Sequence, residues 1–321
     1  MNASPMPDLR IAAVFATMNR SATAEACVRA LAAQTRPPEL VVVADNVSTD
    51  ETPARLMALA DLPFPLRIHR MAHNRGNAGG VEEAMDLAFS LGMDAVWILD
   101  DDSWPRPDAL ELLLRDDWNP RVVRHPLQID PKSGKLTWPL QVWSGDDGFV
   151  LIDDPERLPD RDVFRTRITW TGALVSREVR EAIGPVIGDL FIRGEDEEYP
   201  LRMEQAGFHQ EAVRRSVLDH PGPARVVRWG FLGRSLFHEP GLADWKLYYK
   251  VRNRVWLKRR ESGTLGALAM TAGQIAVVCR IDGIRRLPLL VGAAWDGWRG
   301  KLGIWNKHPT PHSSGAANRP A

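Results

Sequence analysis

Cysteine is almost missing. Cys27 and Cys279 are the only two in 321 residues, far apart and in no metal-ligand spacing. That excludes a disulfide framework and a zinc ribbon, and it makes a reducing cytoplasm the expected compartment. Net charge is missing too: 41 Lys and Arg balance 41 Asp and Glu, so the protein is neither uniformly basic nor uniformly acidic. Long apolar runs are scarce. Residues 1–10 hold Pro5 and Pro7 without an apolar segment, unlike a signal peptide. The longest uncharged stretch, 262–279, is interrupted by Gly263, Gly266, Thr271, Gly273 and Gln274. A membrane-crossing helix takes roughly 20 mostly apolar residues, so this stretch reads as a buried or interfacial helix. There is no internal repeat. What remains is an ordinary composition, 44% hydrophobic and 26% charged, which excludes a disordered or fibrous chain.

The zero net charge conceals a division. Residues 221–321 hold 17 Lys and Arg against 5 Asp and Glu, whereas residues 1–220 hold 24 against 36. The basic end also carries six of the twelve tryptophans. The acidic part opens with alternating strand and helix signals. Leu9 to Thr17 is rich in β-formers, Ala22 to Gln34 reads as a helix stopped by Pro37 and Pro38, and Leu40 to Ala44 is a continuous apolar run. Such a run marks a parallel strand covered on both faces. A helix over 50–60, a short strand over 66–69, a helix over 80–91 opened by a Gly-rich turn, and a buried strand over 95–99 follow. Short links between them predict βαβ units and an open parallel sheet, an α/β fold whose ligands sit beyond the strand C-termini. Residues 120–168 suggest extended strands and loops over a site. The region 183–208 reads as strand, acidic loop and helix, and beyond Trp229 the chain reads as basic and helical. The length allows one large domain with an appendage, or two domains. The tail 309–321 is rich in Pro, Ser, Gly and Ala and reads as disordered.

Four segments carry candidate chemistry. In Trp97-Ile-Leu-Asp100-Asp101-Asp102 a buried strand ends in three carboxylates, with no Lys or Arg beside them in sequence. Adjacent carboxylates repel, and hard oxygen ligands suit Mg²⁺ or Mn²⁺ bridging to phosphates. The same triplet could also be a solvated turn capping a helix through Asp102 or Ser103. In the second segment Asp45 and Asn46 follow an apolar strand, where Asp45 could accept from a nucleobase or merely sit in a turn capped by Ser48 or Thr49. The third, Asn74-Arg75-Gly76-Asn77-Ala78-Gly79-Gly80, could bring backbone amides and Arg75 to a phosphate at a helix start; it is neither a Walker motif nor G-x-G-x-x-G. The fourth is Gly194-Glu195-Asp196-Glu197-Glu198-Tyr199, four consecutive carboxylates that either favour a helix N-terminus or include a general base. His220 is a possible nitrogen ligand only in the company of these acids.

In this order the segments resemble the family 2 glycosyltransferases, inverting nucleotide-sugar enzymes of GT-A fold. Ala16-Thr17-Met18-Asn19-Arg20 resembles the family's first strand end, Asp45-Asn46-x-Ser48-Thr49-Asp50 its base-binding motif, and the 74–80 loop its diphosphate and sugar loop. Asp100-Asp101-Asp102 matches its Asp-x-Asp motif, and Trp170-Thr171-Gly172-Ala173-Leu174-Val175 its segment below the donor sugar. Gly194 to Tyr199 resembles the catalytic-base motif, and Tyr248-Tyr249-x-x-Arg252-Asn253 the helix that follows it. The likeness covers about residues 8–260, and the Gly-Gly, the full triplet and His220 bring it nearest the galactofuranosyl and rhamnosyl transferases.

The resemblance implies a GT-A catalytic domain over 1–230, an open mostly parallel Rossmann-like sheet flanked by helices, then a basic helical region over 231–308. It implies a divalent cation, Mn²⁺ or Mg²⁺, on Asp100, Asp102 and His220. Asp196 is the implied base, with Glu195 or Glu197 able to share or take that role. Thr17, Asn19, Arg20, Asp45, Asn46, Arg75, Asn77, Gly79, Gly80 and Asp101 would hold a UDP or dTDP sugar, and Trp170, Thr171, Gly172, Glu198 and Tyr199 would line the sugar pocket. A galactofuranose- or rhamnose-like sugar would pass to a hydroxyl of a glycan, or of a polyprenyl-linked glycan, in cell-envelope polysaccharide synthesis. The interleaved Trp, Lys and Arg of 245–305 suit contact with an anionic membrane at its inner face. That region could equally be a helical subdomain with a solvated basic face. A homo-oligomer is compatible with the sequence. Two other classes fit parts of it. A sugar nucleotidyltransferase would want a Gly-rich loop near Thr17, which is absent, and a nucleic-acid binder would want a basic surface where residues 1–220 are acidic.

Overall fold

The structure is a computed structural model and describes residues 9–309 except 116–117, 168, 224 and 232–233. The disordered tail expected from 309 onward therefore lies, from residue 310, outside the described residues, as do residues 1–8. The chain divides into two compact units: residues 1–187 with 195–222, and residues 188–194 with 223–321.

In the first unit the apolar runs become central strands. β1 (Ile11–Thr17) and β2 (Leu40–Asp45) are buried at every position, and β3 (Leu66–Arg70) flanks β2. β4 (Ala95–Ile98), also wholly buried, lies parallel to β1 on its other side. The connecting helices cover this parallel part. α1 (Ser21–Ala32) buries Ala24, Cys27, Val28 and Leu31, the spacing that puts four side chains on one helical face. α2 (Thr52–Met57) is shorter than the sequence suggests, and Pro53 sits in its first turn. α3 (Gly76–Ser90) starts four residues before the expected helix. The glycines read as a loop lie inside it because they set a close approach: a Cβ on Gly80 would stand 2.6 Å from the Ala16 Cβ and 2.9 Å from Asn46 Nδ2.

Beyond β4 the sheet turns mixed. β5 (Trp104–Pro105) and α4 (Ala109–Leu113) lead into β6 (Val122–Ile129), and β7 (Leu140–Trp143), β8 (Phe149–Ile152) and β9 (Val163–Arg167) form its far edge. β10 (Leu174–Ser176) inserts antiparallel between β4 and β6, and α5 (Arg177–Ile183) follows. α6 (Glu195–Gln205) precedes β11 (His209–Asp219), which pairs parallel with β6. The path runs β3-β2-β1-β4-β10-β6-β11-β9-β7-β8, with β5 on β11. The α/β architecture expected from the sequence is the one observed. The acidic run 195–198 is the first turn of α6 rather than a loop, since carboxylates there face the positive end of the helix dipole.

The second unit holds the hairpin of β12 (Val227–Phe231) and β13 (Arg234–His238), then α7 (Asp244–Asp282) and α8 (Leu287–Arg299). The hairpin replaces part of the expected helix. Val227-Arg228-Trp229-Gly230-Phe231 alternates with period two, a strand pattern too short to stand out in a basic segment. α7 is broken at Gly263, whose φ of 68° and ψ of −171° are not helical. Buried Leu247, Tyr249, Val251 and Val255 pack with Phe191, Val278, Leu290 and Ala293 in this unit's core. Arg252 and Asn253 are also buried here, and the Asn253 amide donates to the carbonyls of Leu190, Ile192 and Arg193.

Candidate active site

β1, β2 and β4 end at the same edge of the sheet, and each end carries polar residues. After β4 the chain turns through Asp100–Asp102. Ser103 closes that turn: its hydroxyl accepts from the Asp100 amide at 3.0 Å and donates to the Asp100 carbonyl at 2.8 Å. Ser103 thus caps a turn and not a helix.

The three carboxylates have different surroundings. Asp100 accepts from the Thr171 hydroxyl at 2.6 Å. Burial raises its pKa, reinforced by Asp102 and Asp196, and His220 and Thr171 offset only part of that. Asp101 accepts from the Thr17 hydroxyl at 2.7 Å and pairs with Arg20 at 3.3 Å. Burial prevails there, and its pKa is pushed up to about 7. Asp102 pairs with Arg20 at 2.5 Å and faces His220 Nε2 at 3.5 Å. Burial opposes its charge, but His220 and Arg20 outweigh it and hold Asp102 below the usual carboxylate range. The triplet that has no basic neighbour in sequence therefore has one in space. Arg20, from the loop after β1, compensates two of its members.

His220 follows β11 directly. Its amide donates to the Ile129 carbonyl at 2.9 Å, and its own carbonyl accepts from the buried Thr137 hydroxyl at 2.6 Å. Burial lowers its pKa, yet Asp102 and Asp100 raise it more. Ligand atoms of Asp100, Asp102 and His220 all lie within 4.8 Å of one another. Two carboxylate oxygens and one imidazole nitrogen, in a cluster with surplus negative charge, form a donor set that fits a divalent cation such as Mn²⁺ or Mg²⁺.

The first turn of α6 adjoins this cluster. Glu195 is 3% exposed; its Oε1 accepts from the Asn77 amide at 3.1 Å and its Oε2 has no partner among the described residues. Burial, followed by the neighbouring Asp196 charge, pushes the Glu195 pKa up to about 8. Asp196 is exposed, and its charge acts on both Glu195 and Asp100. The two acids therefore differ: at neutral pH one holds a proton, and the other presents itself to solvent beside the cluster.

The remaining candidate residues fall into two groups. At the ends of β1 and β2, Asn19 Oδ1 accepts from the Thr49 amide at 2.7 Å, and the Asn19 amide donates to Ser48 Oγ at 2.9 Å. Asp45 is fully buried, pairs with Arg70 and accepts from the Ser48 amide. Asn46 accepts from the Arg75 amide at 3.0 Å and donates to the Gly76 carbonyl at 3.0 Å, which fastens the start of α3. Arg75 extends over α3 to Glu82 at 2.8 Å and Glu83 at 2.6 Å. The second group surrounds α6. Glu198 is taken up by Arg202 at 2.9 and 2.8 Å. Trp170 packs edge-on against the buried Tyr199 with ring centres 5.8 Å apart, and neither the indole N–H nor the Tyr199 hydroxyl has a partner among the described residues. Gly172, with a φ of 87°, sits so close to Pro126 that a Cβ would come within 2.6 Å of it.

Sequence reading missed two residues that build the site. Gln128 on β6 meets His220 Nδ1 at 3.0 Å and donates to the Thr171 carbonyl at 2.9 Å. Thr137 holds the His220 carbonyl. Neither belongs to a recognisable spacing: Gln128 comes beside His220 through the pairing of β6 with β11, and Thr137 lies outside the strands, joined to Gln128 by its backbone amide.

Residues 13–155 match the model of the family Glycosyl transferase family 2. The chain is 26% identical over 255 residues to the galactofuranosyltransferase GlfT1 of Mycolicibacterium smegmatis, covering 77% of this chain and 82% of that protein. It is 28% identical over 252 residues to GlfT1 of Mycobacterium tuberculosis, with 75% and 80% covered. Among solved structures it resembles GalNAc-T7 with UDP, GalNAc and Mn²⁺, at a TM-score of 0.53 and 15% identity. That likeness takes in 78% of this chain but only 47% of that one. It also resembles S. aureus TarS 1–349 in complex with UDP-GlcNAc, at a TM-score of 0.52 and 13% identity, covering 90% and 80%. The structural likenesses speak for the fold alone, the GT-A arrangement.

Proposed function

Residues 13–155 of this chain are a family 2 glycosyltransferase domain, and we propose that the enzyme moves a galactofuranose- or rhamnose-like sugar, with inversion, from a UDP or dTDP donor to a hydroxyl of a glycan or polyprenyl-linked glycan in the cell envelope. The observation that carries this reading is the cluster of Asp100, Asp102 and His220 with Asp196 at its edge. Likeness to two galactofuranosyltransferases supports the sugar class.

The chemistry needs a stabilised leaving group and a base. A divalent cation held by Asp100, Asp102 and His220 would act as a Lewis acid toward the departing diphosphate. Thr171 and Arg20 keep the acidic cluster arranged, the first by donating to Asp100 and the second by pairing with Asp101 and Asp102. Asp196 takes the acceptor hydroxyl proton as that oxygen bonds to the anomeric carbon and the bond to the diphosphate breaks. Glu195, whose pKa burial raises, is suited to donate a hydrogen bond from the oxygen that has no partner among the described residues rather than to act as the base. The ends of β1 and β2, with Asp45 and Asn46, and the start of α3, with Asn77, would hold the nucleotide. Asp196→Asn should abolish turnover and leave UDP binding near normal. Retention of most of the turnover would refute Asp196 as base.

A membrane-facing role for the second unit also has a specific observation behind it. By length and composition α7 could cross a membrane, and only 28% of its apolar window is buried. Leu265 is 82% exposed and Leu268 51%; on α8, Val291 and Trp295 are exposed, with Arg285, Arg299 and Lys301 in the flanking sequence. Apolar side chains bordered by cations suit the interface of an anionic bilayer, where a lipid-linked acceptor would be met. Co-sedimentation with anionic vesicles at low salt tests it, and absence of binding removes the membrane role.

A further inference from the structure

We propose that Gln128 is a positioning residue for the cation cluster, holding His220 with Nε2 turned toward the carboxylates and steadying Asp100 through Thr171. The proposal rests on the cation reading above and deepens it.

Donors and acceptors fix the orientation of both side chains. The Thr171 carbonyl can only accept, so the Gln128 group 2.9 Å from it is the amide NH₂. The Gln128 oxygen is then the atom that meets His220 Nδ1 at 3.0 Å. An amide oxygen cannot donate, so Nδ1 carries the hydrogen. In the neutral ring the other nitrogen is bare, and that nitrogen, Nε2, faces an Asp102 oxygen at 3.5 Å. A lone pair opposite a carboxylate needs a positive charge between or beside them, either a ring proton or a cation. The orientation that ligation requires is thus dictated by an amide on a neighbouring strand, the usual arrangement of a ligating imidazole and its outer partner.

The same amide reaches a second ligand. Thr171, whose carbonyl takes the Gln128 hydrogen, gives its own hydroxyl hydrogen to Asp100 at 2.6 Å. A continuous path runs from His220 through Gln128 and Thr171 to Asp100. The backbone repeats the connection: the Gln128 carbonyl accepts from the Thr137 amide at 2.9 Å, and the Thr137 hydroxyl donates to the His220 carbonyl at 2.6 Å. Gln128 and Leu218 are register partners on β6 and β11, so the two strands present Gln128 and His220 together. With both ends of the amide in use, Gln128 is held in one rotamer, as a residue that sets another's orientation must be.

Two variants separate the orienting role from packing. Gln128→Leu keeps similar volume and removes both hydrogen bonds. Gln128→Glu still accepts from Nδ1–H but gives up the hydrogen bond to the Thr171 carbonyl. In the metal-free full chain, the ¹⁵N shifts of the His220 ring, read above its titration, should show the Nδ1–H tautomer in the native protein and in Q128E, and Nε2–H or a mixture in Q128L. Mn²⁺ titration followed by electron paramagnetic resonance should show Q128L binding about 10- to 100-fold more weakly, the usual consequence of losing such a partner, with Q128E, which keeps the bond to His220 and loses the one to Thr171, weakened less than Q128L. A native Nε2–H tautomer overturns the proposal. So does Q128L with native tautomer and affinity, or Q128E as impaired as Q128L. A native protein with the Nδ1–H tautomer that binds no Mn²⁺ would refute the cation reading while leaving the orientation of His220 established.

Discussion

Glu195 offers a test in which the structure sets both sign and size. Its pKa stands at about 8 against an ordinary 4.5 because it is buried and Asp196 lies beside it. Between those two values the unfolded chain has released the proton that the folded chain keeps. The stability this group contributes is therefore present below pH 4.5 and is lost as pH rises toward 8. The raised pKa amounts to a few kcal/mol across the window, a slope of about 1 kcal/mol per pH unit. Glu195→Gln abolishes the titration and keeps an acceptor for the Asn77 amide. Its NH₂ at the Oε2 position, which has no partner among the described residues, costs about 1–3 kcal/mol, but that cost does not vary with pH. The slope, not the absolute difference, is what identifies the mechanism. Urea unfolding of the native and variant proteins at pH 5, 6, 7 and 8, with chelator present, should show the variant gaining on the native protein at each step. The gain should be about 1 kcal/mol per pH unit. A difference that stays flat from pH 5 to 8 would mean that Glu195 is already ionised when folded, and its separation in role from Asp196 would fall with it.

Other expectations follow from single contacts. Gly172→Ala places a Cβ within 2.6 Å of Pro126 at a φ of 87°, so it should cost about 2–4 kcal/mol; a melting temperature within 2 °C of native would contradict that. Gly297→Ala drives a Cβ to 2.2 Å from the Arg252 carbonyl, where α8 packs on α7, and should destabilise by at least about 2 kcal/mol in thermal unfolding. Replacing exposed Leu265 and Leu268 by Asp should leave folding unchanged by circular dichroism and cut anionic-vesicle binding at least about tenfold. Unchanged binding would place the lipid contact elsewhere.

Much of the fold was legible because its signals are local. Buried runs such as Leu40 to Ala44 are strands wherever they pack, since they can be covered only on both faces. α1 announces itself by the spacing of Ala24, Cys27, Val28 and Leu31. Failures came where neighbours in space decide. Gly79 and Gly80 look like a loop until Arg75 is seen against the first and Ala16 and Asn46 against the second. The hairpin of β12 and β13 is too short for its alternation to outweigh the charge around it.

The candidate site divides in the same way. The sequence by itself determined which chemical groups are available: three carboxylates at the end of a buried strand, an acidic pair opening α6, and a histidine after β11, because each depends only on residues adjacent in the chain. Tertiary structure alone decided which of them act together. It placed Arg20 on Asp101 and Asp102, gave Glu195 its proton, and joined His220 to Asp100 through Gln128 and Thr171. Charge compensation, desolvation and the closing of hydrogen bonds depend on distances between strands far apart in sequence, and no local pattern records those distances.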